Sequence, residues 1–178
     1  MRKVVFQAWC ELIDQEVGHR LPGFSLFAGR SRGEPRNLRK YVWKPIEGLW
    51  CFIAFRPLES EAFDAYVGWS DKERFPGQDC IAPTQDAMQD LGAPCRIVQS
   101  LDLVPRSGLA HWNFWQAPPE LLDDPQAFGA ACAAHFSKEL NLEQALDLVR
   151  PAVDKGISEV HDHGLPYLAR KIQFASGR

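Results

Sequence analysis

The chain has 178 residues, 46% hydrophobic and 24% charged, which fits one globular domain over residues 1–178 and excludes a disordered chain. Twenty basic against 23 acidic residues leave a net charge of −3, without the strongly basic footprint that broad nucleic-acid binding leaves. Five cysteines, at 10, 51, 80, 95 and 132, are odd in number and form no Cys-x-x-Cys pair. They read as free thiols of a reducing cytoplasm, not as a disulfide framework.

Met1 to Phe6 begins like a signal peptide, but Gln7, Glu11, Asp14 and Gln15 interrupt any apolar stretch, and no run approaches the ~18 residues of a membrane span. The spacing of Val5, Trp9, Leu12 and Ile13 instead predicts an amphipathic helix over 4–17, stopped by Gly18. A short apolar piece, Phe24 to Phe27, follows among Pro and Gly. From Arg30 to Lys44 six basic residues meet one acid, a local +5 that leaves −8 for the remainder.

The middle of the chain reads as strands. Arg39 to Lys44 is one, and Pro45 to Gly48 is a turn. Leu49 to Phe55 is a seven-residue apolar run, expected as a central strand covered on both faces. Phe63, Ala65, Val67 and Trp69 alternate with Asp64, Tyr66 and Gly68, as a half-buried antiparallel partner requires. Leu109 to Trp115 is a further strand, beyond a loop-rich stretch from 70 to 105 with a short helix over 84–91.

The period then changes. Asp124-Pro125 starts a helix with the stripe Phe128, Cys132, His135 and Phe136. Asn141 caps another, whose apolar face runs Leu142, Leu146, Val149, Val153, Ile157 and Val160, with Pro151 expected to kink or divide it. Leu165-Pro166 opens a last short helix. Helix, strands joined by tight turns, then helices is an α+β pattern: an antiparallel sheet of four or five strands with the N-terminal and C-terminal helices packed mainly on one face.

Chemistry-bearing motifs are few. His161-Asp162-His163 has the residue types of a zinc or iron site, but residues two apart on a helix point about 200° away from each other. Histidines in the last turn before Gly164 are better explained as a helix C-terminal cap, which needs no further ligands. His111 and His135 could act as bases, but no Gly-x-Ser-x-Gly or activated cysteine accompanies them. Gly29 to Gly33 lacks a Walker lysine. No catalytic, cofactor-binding or metal residue is assigned, and no cofactor is expected. The candidate interaction residues are Arg30, Arg32, Arg36, Arg39 and Lys40, whose guanidinium and ammonium groups suit carboxylate or phosphate partners; a solvated loop that offsets the acidic remainder is the favoured reading, because charge runs are common on surfaces. Trp43, Trp50, Trp69, Trp112 and Trp115 fall on expected strands; most should be core, with one or two partly exposed on an uncovered sheet face.

In the order of its elements, with Leu49 to Phe55 followed by Phe63 to Ser70, the chain resembles small uncharacterised bacterial α+β proteins. Some of these are similar to immunity proteins encoded beside polymorphic toxins. The resemblance spans residues 1 to 115 and transfers no functional residue. It implies a cytoplasmic protein that neutralises a partner by covering its active site. Two functions therefore stand: a non-enzymatic module binding another protein, which in the form the resemblance implies is an immunity-type inhibitor of a bacterial toxin, and a small hydrolase or transferase built from distant His111, His135 and acidic residues. Binding leads, because each histidine and cysteine has an adequate structural role and no nucleophile–base pair is legible locally.

Overall fold

An apolar residue every three to four positions gives the first helix one buried side, and Lys3–Arg20 (α1) buries Val5, Ala8, Trp9, Leu12, Ile13 and Val17 along it. The helix runs two residues beyond Gly18, whose site is open on all sides and gives the chain no reason to turn. In this computed structural model residues 1–29, 37–70, 98–99 and 112–177 are described. The expected helix over 84–91 and the start of the 109–115 strand lie outside them.

A meander follows: Ser25–Leu26 (β1), Arg39–Ile46 (β2), Leu49–Leu58 (β3) and Ala62–Ser70 (β4), each antiparallel to the next. The far side of β4 pairs with two short strands, Val98–Gln99 (β5) along Val67–Gly68 and Trp112–Asn113 (β6) along Ala62–Phe63. The sheet is thus five positions wide, and β3 is interior. The β2–β3 turn is tighter than expected. Pro45 and Ile46 remain in β2, and Glu47 and Gly48 alone reverse the chain, Gly48 at a φ of +74° that a side chain would resist.

Register decides which residues share a face. Tyr41, Cys51, Ile53, Phe55, Phe63, Ala65, Val67 and Trp69 project with α1 and the C-terminal helices into the main core. Phe52, Ala54 and Tyr66 form a second, smaller cluster on the opposite face, with Phe27, Leu38, Val42 and Trp50 against it. The apolar run in β3 is therefore covered on both faces, as its composition predicts.

The half-buried expectation for β4 is corrected. Every residue from Ala62 to Ser70 is buried, Asp64 and Tyr66 included. Asp64 tolerates this because its Oδ2 accepts hydrogen bonds from the Arg56 guanidinium and from the Tyr66 hydroxyl, the latter at 2.9 Å. Of the five tryptophans expected on strands, Trp69 and Trp112 are core, and Trp43, Trp50 and Trp115 are half-buried.

Pro125–Ser137 (α2), Leu142–Glu159 (α3) and Leu165–Ala175 (α4) complete the chain. Asn141 and Gln144 exchange side-chain and backbone bonds in a capping box, satisfying amides at the start of α3. Asn141→Ala should cost about 1 kcal/mol, read as a lowered midpoint in urea unfolding. The helix is not divided at Pro151, which is exposed while Val149, Val153 and Ile157 are buried on the sheet. Burial of that stripe outweighs one lost hydrogen bond.

Nor does the chain stop at Gly164. Val160–Gly164 is a π-helical turn that leads directly into α4, so His161 and His163 do not cap a helix end. The wider turn keeps Val160 and Gly164 buried and leaves both histidines exposed.

Candidate interaction surface

Within α2 every residue between Pro125 and Ser137 is uncharged apart from a titratable histidine, and none is buried. A helix that docks on its own domain normally buries an apolar stripe and shows charge to water. Here Ala127, Ala131, Cys132 and His135 are half-buried on the inner side. Gly129, Ala130, Ala133, Phe128 and Phe136 are exposed, with Leu122 just before the helix. The expected stripe thus has Cys132 and His135 facing inward and both phenylalanines partly exposed, Phe136 edge-on to the His135 ring.

Local chemistry starts this helix. Asp124 accepts hydrogen bonds from the amides of Gln126 and Ala127 at 3.0 Å each, and Pro125 occupies the first turn without forfeiting a bond. Its far end is held by residues from elsewhere in the sequence. The Arg2 guanidinium donates through Nε and Nη2 to the two oxygens of Glu61, at 2.7 and 2.8 Å. Its Nη1 donates to the carbonyls of His135 and Lys138, at 3.1 and 2.6 Å, satisfying orphan acceptors where the helix dipole favours a cation.

His135 Nε2 lies 3.1 Å from Glu61 Oε2 and 3.2 Å from Arg2 Nη2, so it meets the carboxylate as a donor when it carries the proton and the guanidinium as an acceptor when it does not. The imidazole stacks on the Trp115 ring with centroids 4.8 Å apart. Glu61 itself has a φ of +55°, a left-handed conformation costly for a side-chain-bearing residue, and its side chain is only 1% exposed. Burial by itself would raise its carboxyl pKa. The hydrogen bonds from Arg2 and His135, with the Arg2 charge, outweigh burial and hold it below the usual value.

The sequence-predicted candidates fall elsewhere. Arg30, Arg32 and Arg36 lie outside the described residues, as does His111. Arg39 and Lys40 are neighbours in β2 and so point to opposite faces. Arg39 forms a forked ion pair with Asp14 of α1, which the Tyr41 hydroxyl also meets. Lys40 is buried, donating to the Gly29 carbonyl and lying 5.0 Å from the centre of the Phe27 ring. The structure does not bring these two together.

His161 pairs with Asp162 and His163 with Glu159, both in exposed pairs. Among the described residues no group of three or more His, Cys, Asp or Glu is arranged to hold a metal ion. No described helix is long and apolar enough to cross a membrane. Among the described cysteines, Cys51 is buried, whereas Cys10 and Cys132 are half-buried.

Arg2, Glu61 and Trp115 were not legible as a group. They come from the start of α1, the β3–β4 turn and the segment before α2, and no local spacing relates them. No family model matches the chain, and no curated protein or solved structure matches it either.

Proposed function

We propose that the protein is a non-enzymatic binding module for another protein, with α2 as a contact element. One observation carries this reading: a 13-residue helix without a formally charged side chain, none of it buried, with Phe128 and Phe136 37% and 44% exposed. Exposed aromatic side chains on an uncharged helix are retained where a partner covers them. An immunity-type inhibitor of a bacterial toxin, acting in the cytoplasm, is the form of this reading that the resemblance of residues 1–115 implies.

A photo-crosslinking residue at Ala133, on the outer side of α2, tests it in native lysate, with Gln173 of α4 as control. The expected result is a discrete adduct from position 133 that position 173 does not form, lost in Phe136→Asp. Equal labelling from both positions, or none from 133, overturns it.

The hydrolase or transferase alternative has one observation in its favour, the approach of His135 to Glu61. Catalytic histidines are often oriented by such a carboxylate. Here the carboxylate is also saturated by Arg2, and no described hydroxyl or thiol hydrogen-bonds the imidazole. Turnover of a simple ester or phosphate ester by purified protein, abolished in His135→Gln, would favour catalysis over binding.

A further inference from the structure

The attachment of α2 has a physical consequence that is independent of what the helix binds. An isolated helix of about a dozen residues is marginal in water, and ordering each residue costs about 1–2 kcal/mol of backbone entropy. Other helices here offset that cost by burying large side chains: Val149, Val153 and Ile157 in α3, and Trp9, Leu12 and Ile13 in α1. No side chain of α2 is fully buried: Ala127, Ala131, Cys132 and the His135 ring are half-buried on its inner side, and Phe128 and Phe136 are 37% and 44% exposed. Among the described residues, the hydrogen bonds that tie it to the domain are concentrated at its C-terminal turn, where Arg2 joins Glu61 to the His135 and Lys138 carbonyls. Before the helix, Pro118 to Gln126 contributes no buried residue, and after it Lys138 and Glu139 are exposed.

We propose that α2 is a hinged arm, latched by the Arg2–Glu61–His135 cluster, that opens as a unit while the sheet and the α1–α3 core stay folded. Opening breaks the bonds from Arg2 to the helix carbonyls and from His135 to Glu61, and parts the His135 ring from Trp115. The Arg2–Glu61 pair can remain closed, since both residues belong to the body of the domain. Proteins commonly open in such sub-global units, and elements with few buried apolar contacts open first. Opening moves an already exposed helix away from the domain without unfolding the sheet or the α1–α3 core.

Amide hydrogen exchange followed by mass spectrometry tests the hinge without any partner, so failure of the binding reading and failure of the hinge are separate results. In the unaltered protein, amides of 125–137 are expected to exchange at least tenfold faster than those of 49–58, with little dependence on low denaturant. In Arg2→Ala, and more mildly in Glu61→Gln, exchange of 125–137 should accelerate about tenfold further while the 49–58 amides stay protected. Equal protection of α2 and β3 in the unaltered protein overturns the hinge, whether or not either variant folds. So does a variant in which both segments lose protection by the same factor, because the cluster is then part of one cooperative core.

Discussion

Phe63→Ala is expected to cost about 3–5 kcal/mol, enough to remove a large fraction of the stability of a domain this size. Phe63 is fully buried on β4 and is the hub of an aromatic cluster. Its ring centroid lies 5.2 Å from that of Trp112, 6.0 Å from Trp9, 6.1 Å from Phe55 and 6.0 Å from Phe114. Deleting it leaves a cavity walled by rigid rings that cannot close over the gap.

The same packing explains Gly156. A Cβ there would sit 2.6 Å from Phe63 Cζ and 3.4 Å from Trp112 Cδ2. Gly→Ala in a helix is worth about 1 kcal/mol in propensity, but the clash should reverse the sign and leave Gly156→Ala destabilising by about 1–2 kcal/mol. In a Phe63→Leu background the added methyl has room, so Gly156→Ala should become neutral or stabilising. Additive costs in urea unfolding of the two single variants and the double variant would contradict this contact.

Alkali should destabilise the fold by about 4 kcal/mol between pH 8 and pH 11, through two buried acids that the fold keeps neutral. Burial pushes the Cys51 thiol from 9.0 up to about 12. Burial likewise raises the Tyr41 phenol from 10.0 to about 12, against the opposing effects of Arg39. Tyr66 shifts in the same direction, first through burial and then through the charge and hydrogen bond of Asp64.

Each folded pKa exceeds its unfolded value, so each group's contribution is fully present below the unfolded pKa. It is lost as pH rises, from about 9 for Cys51 and from about 10 for the tyrosines. Urea midpoints should therefore be flat from pH 7 to 8 and fall steeply from pH 9 to 11. Cys51→Ala, although less stable throughout, should lose the part of that slope lying between pH 9 and 10. A midpoint at pH 11 equal to that at pH 7.5 would show that these groups ionise freely in the folded protein.

The fold class followed from local patterns because those patterns have local causes. A 3.6-residue period over 4–17, Asp124-Pro125 and the Asn141 cap each specify their element through a few neighbouring residues, and α1, α2 and α3 begin within a residue of expectation. The apolar run 49–55 announced an interior strand because only a strand covered on both faces can bury so many consecutive side chains; Trp50 alone of the run is half-buried. Boundaries were less legible. Burial of the stripe around Pro151 and the tightness of the Glu47–Gly48 turn are settled by packing and by backbone conformation, not by the identity of one residue.

Which side chains remain available to a partner lay beyond local reading. Periodicity reports that Phe128 and Phe136 are apolar, but not whether another element comes to cover them. Charge density singled out Arg39 and Lys40, yet β-strand alternation sends one to Asp14 and the other beneath Phe27. Arg2, Glu61 and His135 carry no motif because hydrogen bonds between groups 59 and 74 positions apart have no sequence spacing to repeat. The sequence by itself determined the periodicities, caps and turns, which depend on near neighbours along the chain. The tertiary structure alone decided which charges are neutralised within the domain and which apolar helix is left uncovered, because both depend on elements that only folding brings together.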